Sequence, residues 1–131
     1  MTERTVEFWC RSPLELGEVF AQFSKAFPAG EFTHDTENVW EWFCGQTDDA
    51  LIAFNITRQW DEEGIPDEPV RMSLRFAEAS ISIGAIGHRL AEALGTDVHT
   101  GKVCEANGNE FAFDAAHTFR APPFGPDSGS K

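Results

Sequence analysis

The chain has 131 residues, with twenty-two acidic side chains against ten basic ones and a formal net charge of −12 at pH 7. Its length suits one domain that buries a core of its own without disulfide staples. A balance of this sign argues against nucleic-acid or anionic-lipid binding, since both depend on clustered Lys and Arg.

In chain order, Val6, Phe8 and Cys10 alternate with Glu7, Trp9 and Arg11, the period of a strand with one buried face. Ser12, Pro13 and Glu15 read as N-cap, first-turn proline and capping-box acid. They precede Leu16, Val19, Phe20, Phe23 and Phe27 at helical spacing, with Pro28 and Gly30 as the stop. A second strand is expected from Val39 to Cys44, with Trp40 and Trp42 on one face and Val39, Glu41 and Phe43 on the other. The polar run 45–49 turns the chain into a third strand in which Ile52, Phe54 and Ile56 alternate with Ala53, Asn55 and Thr57. Residues 61–69 hold five acids, two prolines and a glycine and are expected to form a solvated loop. Val70, Met72, Leu74 and Phe76 mark a fourth strand, whose Arg71 and Arg75 are placed to screen neighbouring acids.

Ile83, Ile86, Leu90 and Leu94 predict a second helix, capped by Ser82 or Ser80 and stopped by Gly95, with Gly84 and Gly87 allowing close packing on a sheet. Residues 98–105 and 110–114 pair as a last hairpin around Asn107-Gly108. The order β-α-β-β-β-α-β-β describes a single α+β domain over residues 1–120. It is a two-layer sandwich with two helices on one face of a mainly antiparallel sheet. Residues 121–131, rich in Pro, Gly and Ser, are expected to be a mobile tail beyond an anchor at Phe119 or Phe124. One sheet face stays uncovered in such a fold. Neighbours in a strand point opposite ways, so Trp9, Trp40, Trp42 and Phe43 cannot all face the helices, and aromatic surface is expected on the open side.

The charge is uneven. Residues 31–70 hold eleven carboxylates, one basic residue, Arg58, and three of the four tryptophans, whereas residues 1–30 and 71–131 are close to neutral. Concentrated like charge costs stability and attracts a basic protein, with association that slows as salt is added. The pattern fits an acidic inhibitor that occludes a basic partner, in the manner of an immunity protein against a nuclease-like bacterial toxin. Asp48, Asp49, Asp61, Glu62, Glu63, Asp67 and Glu68 would supply charge, and Trp40, Trp42 and Trp60 the anchors. A phage-type phosphate mimic directed at a nucleic-acid-handling defence complex would use the same surface. A small enzyme or ligand-binding domain would need a pocket, expected around Trp42, His99 and Phe113. A homodimer burying the aromatic face is the remaining alternative to a monomer.

Other chemistry finds little support. His34 beside Asp35, and His88, His99, Cys104 and His117 further on, lack the paired spacing of zinc ligands. The adjacent acids Glu62, Glu63, Asp67 and Glu68 lack the register of a calcium loop. There is no G-x-S-x-G nucleophile turn and no phosphate cradle, so neither catalysis nor a cofactor is expected. Cys10, Cys44 and Cys104 are odd in number and lie in strand-like runs, which predicts reduced, buried, inert thiols in a cytoplasmic protein. The first residues lack the apolar core of a signal peptide, and no apolar run approaches the ~20 residues that span a bilayer.

Overall fold

A computed structural model describes residues 3–59, 69–105 and 111–121. Among them the elements are β1 (Glu3–Cys10), α1 (Leu16–Ala26), β2 (Ala29–Glu37), β3 (Trp40–Thr47), β4 (Ala53–Gln59), β5 (Val70–Ala77), α2 (Ile83–Leu94), β6 (Val98–Glu105) and β7 (Phe111–Phe119). The strands form one antiparallel sheet in the order β2-β3-β4-β5-β1-β6-β7. Both helices pack on one face, giving the expected α+β sandwich. The acidic loop 61–68, Trp60, the Asn107-Gly108 turn and the tail beyond Ala121 lie outside the described residues.

The core is the apolar phase of each amphipathic element. Val6, Phe8 and Cys10 of β1, Phe54 and Ile56 of β4, and Met72, Leu74 and Phe76 of β5 meet Val19 and Phe23 of α1 and Ile86 and Leu90 of α2. Phe20 stacks on Phe43 with ring centroids 4.4 Å apart and binds α1 to β3. Helix α2 starts at Ser82, whose Oγ accepts from Ala85 N at 3.1 Å. It stops at Gly95, which takes the left-handed conformation at φ 68°.

Helix α1 starts later than expected. Glu15, not Ser12, is the N-cap, in a reciprocal capping box with Glu18, and Ser12 Oγ instead accepts from Leu14 N at 3.2 Å. The order gains a strand, β2, between α1 and the tryptophan strand. Pro28 does end the helix, but Gly30 belongs to β2, where the ladder to β3 bulges between Ala29 and Phe32. Residues 38 and 39 then make a two-residue hairpin turn with Asn38 at φ 58°.

Gly87 is the contact between α2 and the far sheet edge. A Cβ there would fall 2.3 Å from the Phe119 ring, whereas one at Gly84 would meet nothing within 4 Å. Gly87→Ala is therefore expected to cost about 1–3 kcal/mol by overpacking, while Gly84→Ala raises stability by up to about 1 kcal/mol through helix propensity. Thermal unfolding of the two variants checks the contrast. Phe119 is buried at 4% exposure, while Phe124, the other expected anchor, lies outside the described residues.

Candidate functional site on the uncovered sheet face

The strand period sorts each side chain of the acidic stretch onto a face. On the helix side, Phe43 is buried, His34 stacks on it with centroids 4.2 Å apart, and His34 Nε2 lies 2.6 Å from Glu41 Oε2. Asp35, next to His34, points the other way and stands opposite Trp42, while Glu37 stands opposite Trp40. The His34-Asp35 pair is thus split between faces. Among the described residues no group of three or more His, Cys, Asp or Glu is arranged to hold a metal ion.

On the open side, half-buried Trp40 and Trp42 rise beside a floor of small polar residues, Asn55 and Thr57 of β4 and Ser73 of β5. With Glu37, Asn38 and Arg71 they surround a concavity of about 480 Å³. Thr57 Oγ1 donates to Glu41 O at 2.8 Å, which fixes the hydroxyl. Arg71 Nε donates to Glu7 Oε1 at 2.9 Å, and Ser73 Oγ to the same oxygen at 2.7 Å, so the cation at this floor faces a carboxylate of β1. The expected screening is present at Arg75 too, 3.7 Å from Glu3. Floor residues Asn55, Thr57 and Ser73 are not among the site residues expected from the sequence. Their only signal is the phase opposite to Phe54, Ile56 and Leu74.

Arg58, the single base of the acidic stretch, is 1% exposed and contributes nothing to the surface. Being in phase with Ile52, Phe54 and Ile56, it points under the sheet. There its two terminal nitrogens donate to Leu14 O at 2.6 Å and Ser12 O at 2.7 Å. Its Nε has no hydrogen-bond partner, and burial holds its pKa below the ordinary value. Asp35 and Glu37 are therefore left without a basic neighbour from their own segment on the open face.

The candidate residues do not all converge. Asp48 and Asp49 lie beyond the far end of β3 from Trp40, in the turn to β4. Asp49 Oδ1 accepts from Thr47 Oγ1 at 2.7 Å and Leu51 N at 3.0 Å, bonds that hold its pKa below the usual carboxylate range. Asp49 is a turn residue, supporting Ala50 at φ 62°. By contrast, Gln59 is paired with Trp40, and both Gln59 and Pro69 line a small recess with it. The chain that carries the acidic loop thus leaves and rejoins the fold beside Trp40.

Of the four aromatics that cannot all face the helices, Trp9 points to the open side but is 5% exposed. Phe113 covers it with ring centroids 5.2 Å apart, and His99 lies at 6.2 Å. The expected pocket of Trp42, His99 and Phe113 does not form. His99 and Phe113 pack on Trp9, and the concavity at Trp42 is lined by β3, β4, β5 and the end of β2. The thiols also differ from expectation. Cys10 is buried, Cys44 is half-buried on the open face with Sγ 3.2 Å from Thr33 Oγ1, and Cys104 is exposed.

No described helix is long and apolar enough to cross a membrane. No protein-family model, curated protein or solved structure matches the chain.

Proposed function

We propose that this chain is an acidic protein-binding inhibitor, most simply an immunity protein that occludes a basic, nuclease-like bacterial toxin. One observation carries the reading. The sheet face left bare by the helices holds Trp40 and Trp42 directly opposite the carboxylates of Glu37 and Asp35, at the corner where the chain departs into and returns from its most acidic segment. Aromatic anchors inside a field of carboxylates suit a surface that would otherwise hold phosphates. The concavity is shallow and more polar than a small-molecule pocket, which favours a docking surface over an enzyme site. A phosphate mimic aimed at a nucleic-acid-handling complex would use the same groups and differ only in its target.

Capture from lysate of the native host tests this with the wild type, Trp42→Ala, Asp48→Asn and a variant with Asp61, Glu62, Glu63, Asp67 and Glu68 changed to amides. A basic protein should be held by the wild type and Asp48→Asn and released as salt rises. Its affinity should drop roughly thirtyfold with Trp42→Ala, the size of a 2 kcal/mol hot spot. The captured protein's nuclease activity should fall when the wild-type chain is added. Equal retention by every variant, or no retention at all, would defeat the proposal.

A further inference from the structure

The two edges of the sheet are unlike. β2 carries Glu31, Asp35 and Glu37 within nine residues, charges of the kind by which edge strands turn away further strands. β7, the opposite edge, is equally long. Between Ala112 and His117 it exposes three alanines, one histidine and a single carboxylate, Asp114, and no described strand pairs with its outer side. Such an edge is a template for another strand.

We infer that β7 pairs antiparallel with β7 of a second copy, about a twofold axis between Ala115 and Ala116, joining the two sheets into one. The register follows from the bulge that β7 makes against β6. Asp114 pairs with Lys102 and His117 with Thr100, so residues 114 and 117 share a face and a hydrogen-bond phase despite their odd separation. The twofold axis therefore sets Asp114 opposite His117 of the second copy, and does so twice. It also sets Phe113 opposite the second copy's Thr118, an aromatic and β-branched cross-strand pair. A one-residue slip loses both. A twofold contact requires a patch that complements itself, and the Asp114 and His117 pattern does so.

Charge points to the same choice of edge. The acidic stretch fills β2, β3, β4 and the segment after them, whereas residues 71–131 carry six basic and seven acidic groups. Two copies joined through β7 meet by their near-neutral ends, while joining through β2 would bring carboxylate-rich strands together. The face with Trp42 remains uncovered in this dimer, so the inference does not depend on the proposed function.

Sedimentation equilibrium of the full chain from micromolar to submillimolar concentration tests it. The mass should rise from 14.5 kDa toward twice that value. D114K and H117E should each weaken association at least about tenfold, and the double variant D114K/H117E should restore it, because the swapped charges again face each other. Both side chains are exposed, and circular dichroism confirms that each variant is folded; D114N serves if D114K is not. A monomer at every concentration overturns the inference. So does a dimer that D114K leaves unchanged or that the double variant fails to rescue, since its interface would then lie elsewhere.

Discussion

Arg58→Ala is expected to lower the unfolding free energy by about 3–5 kcal/mol, more than any surface change in the acidic stretch. The guanidinium is the clamp between β4 and the connection from β1 to α1, bonded to the carbonyls of Ser12 and Leu14 at 2.7 and 2.6 Å. Alanine leaves those two acceptors without their donors and opens a cavity where a long side chain was fully enclosed. Arg58→Met separates the two contributions. It keeps most of the stem's packing and removes a buried cation whose desolvation is itself unfavourable, so its cost should be roughly half that of alanine. Urea unfolding at neutral pH measures both. If alanine costs under about 1 kcal/mol, the carbonyls find other partners and the clamp is not what holds this connection.

Most of the fold is legible because most elements show their period. Val6, Phe8 and Cys10, and again Val70, Met72, Leu74 and Phe76, give the two strands at the middle of the core their buried phase, and Ser82 and Gly95 bracket α2. β2 is hidden because it has no such phase. Every residue from Glu31 to Glu37 is exposed in an edge strand that meets α1 through Phe32 on Phe20, so the rest of its sequence is free to be polar, and Gly30 sits at a bulge rather than a stop. The start of α1 shows the opposite weakness. Ser12 and Pro13 have cap chemistry, but Arg58 holds the carbonyls of Ser12 and Leu14, a tertiary constraint that nothing near Ser12 in the sequence reveals.

The candidate site divides along the same line. Alternation alone puts Trp40 and Trp42 on one face; that this is the bare face follows only from Phe43, in the opposite phase, packing on Phe20 of α1. Alternation also points Trp9 away from the helices, but only the return of β7 brings Phe113 over it, a contact between positions far apart in sequence. Composition groups Asp48 and Asp49 with the other acids. Their place in the turn between β3 and β4 removes them from the tryptophan corner, and Thr47 and Leu51 occupy Asp49. The surface implied by charge is therefore narrower than the charged stretch. It centres on Trp42, Asp35 and Glu37, with the acidic loop's two ends alongside at Gln59 and Pro69.

Cys10 makes the domain sensitive to alkali. Burial pushes its thiol up from an ordinary value near 9 to about 12, with Arg58 pulling weakly the other way. Below pH 9 the thiol is protonated whether the chain is folded or not, and it contributes fully to stability. Between 9 and 12 the unfolded chain releases the proton while the folded one keeps it, so stability falls with rising pH, by about 1.4 kcal/mol per unit from this group. Cys10→Ala should lose stability at neutral pH through the smaller side chain, yet decline less steeply above pH 9, so that the two curves converge. Urea midpoints measured from neutral pH to about 11 read the slope difference directly. Parallel curves would mean that the thiol ionises in the folded protein as easily as in the unfolded chain, and that Arg58 compensates the thiolate in place. Labelling with a thiol reagent gives an independent check: Cys104 should react first, Cys44 more slowly, and Cys10 only as the domain opens.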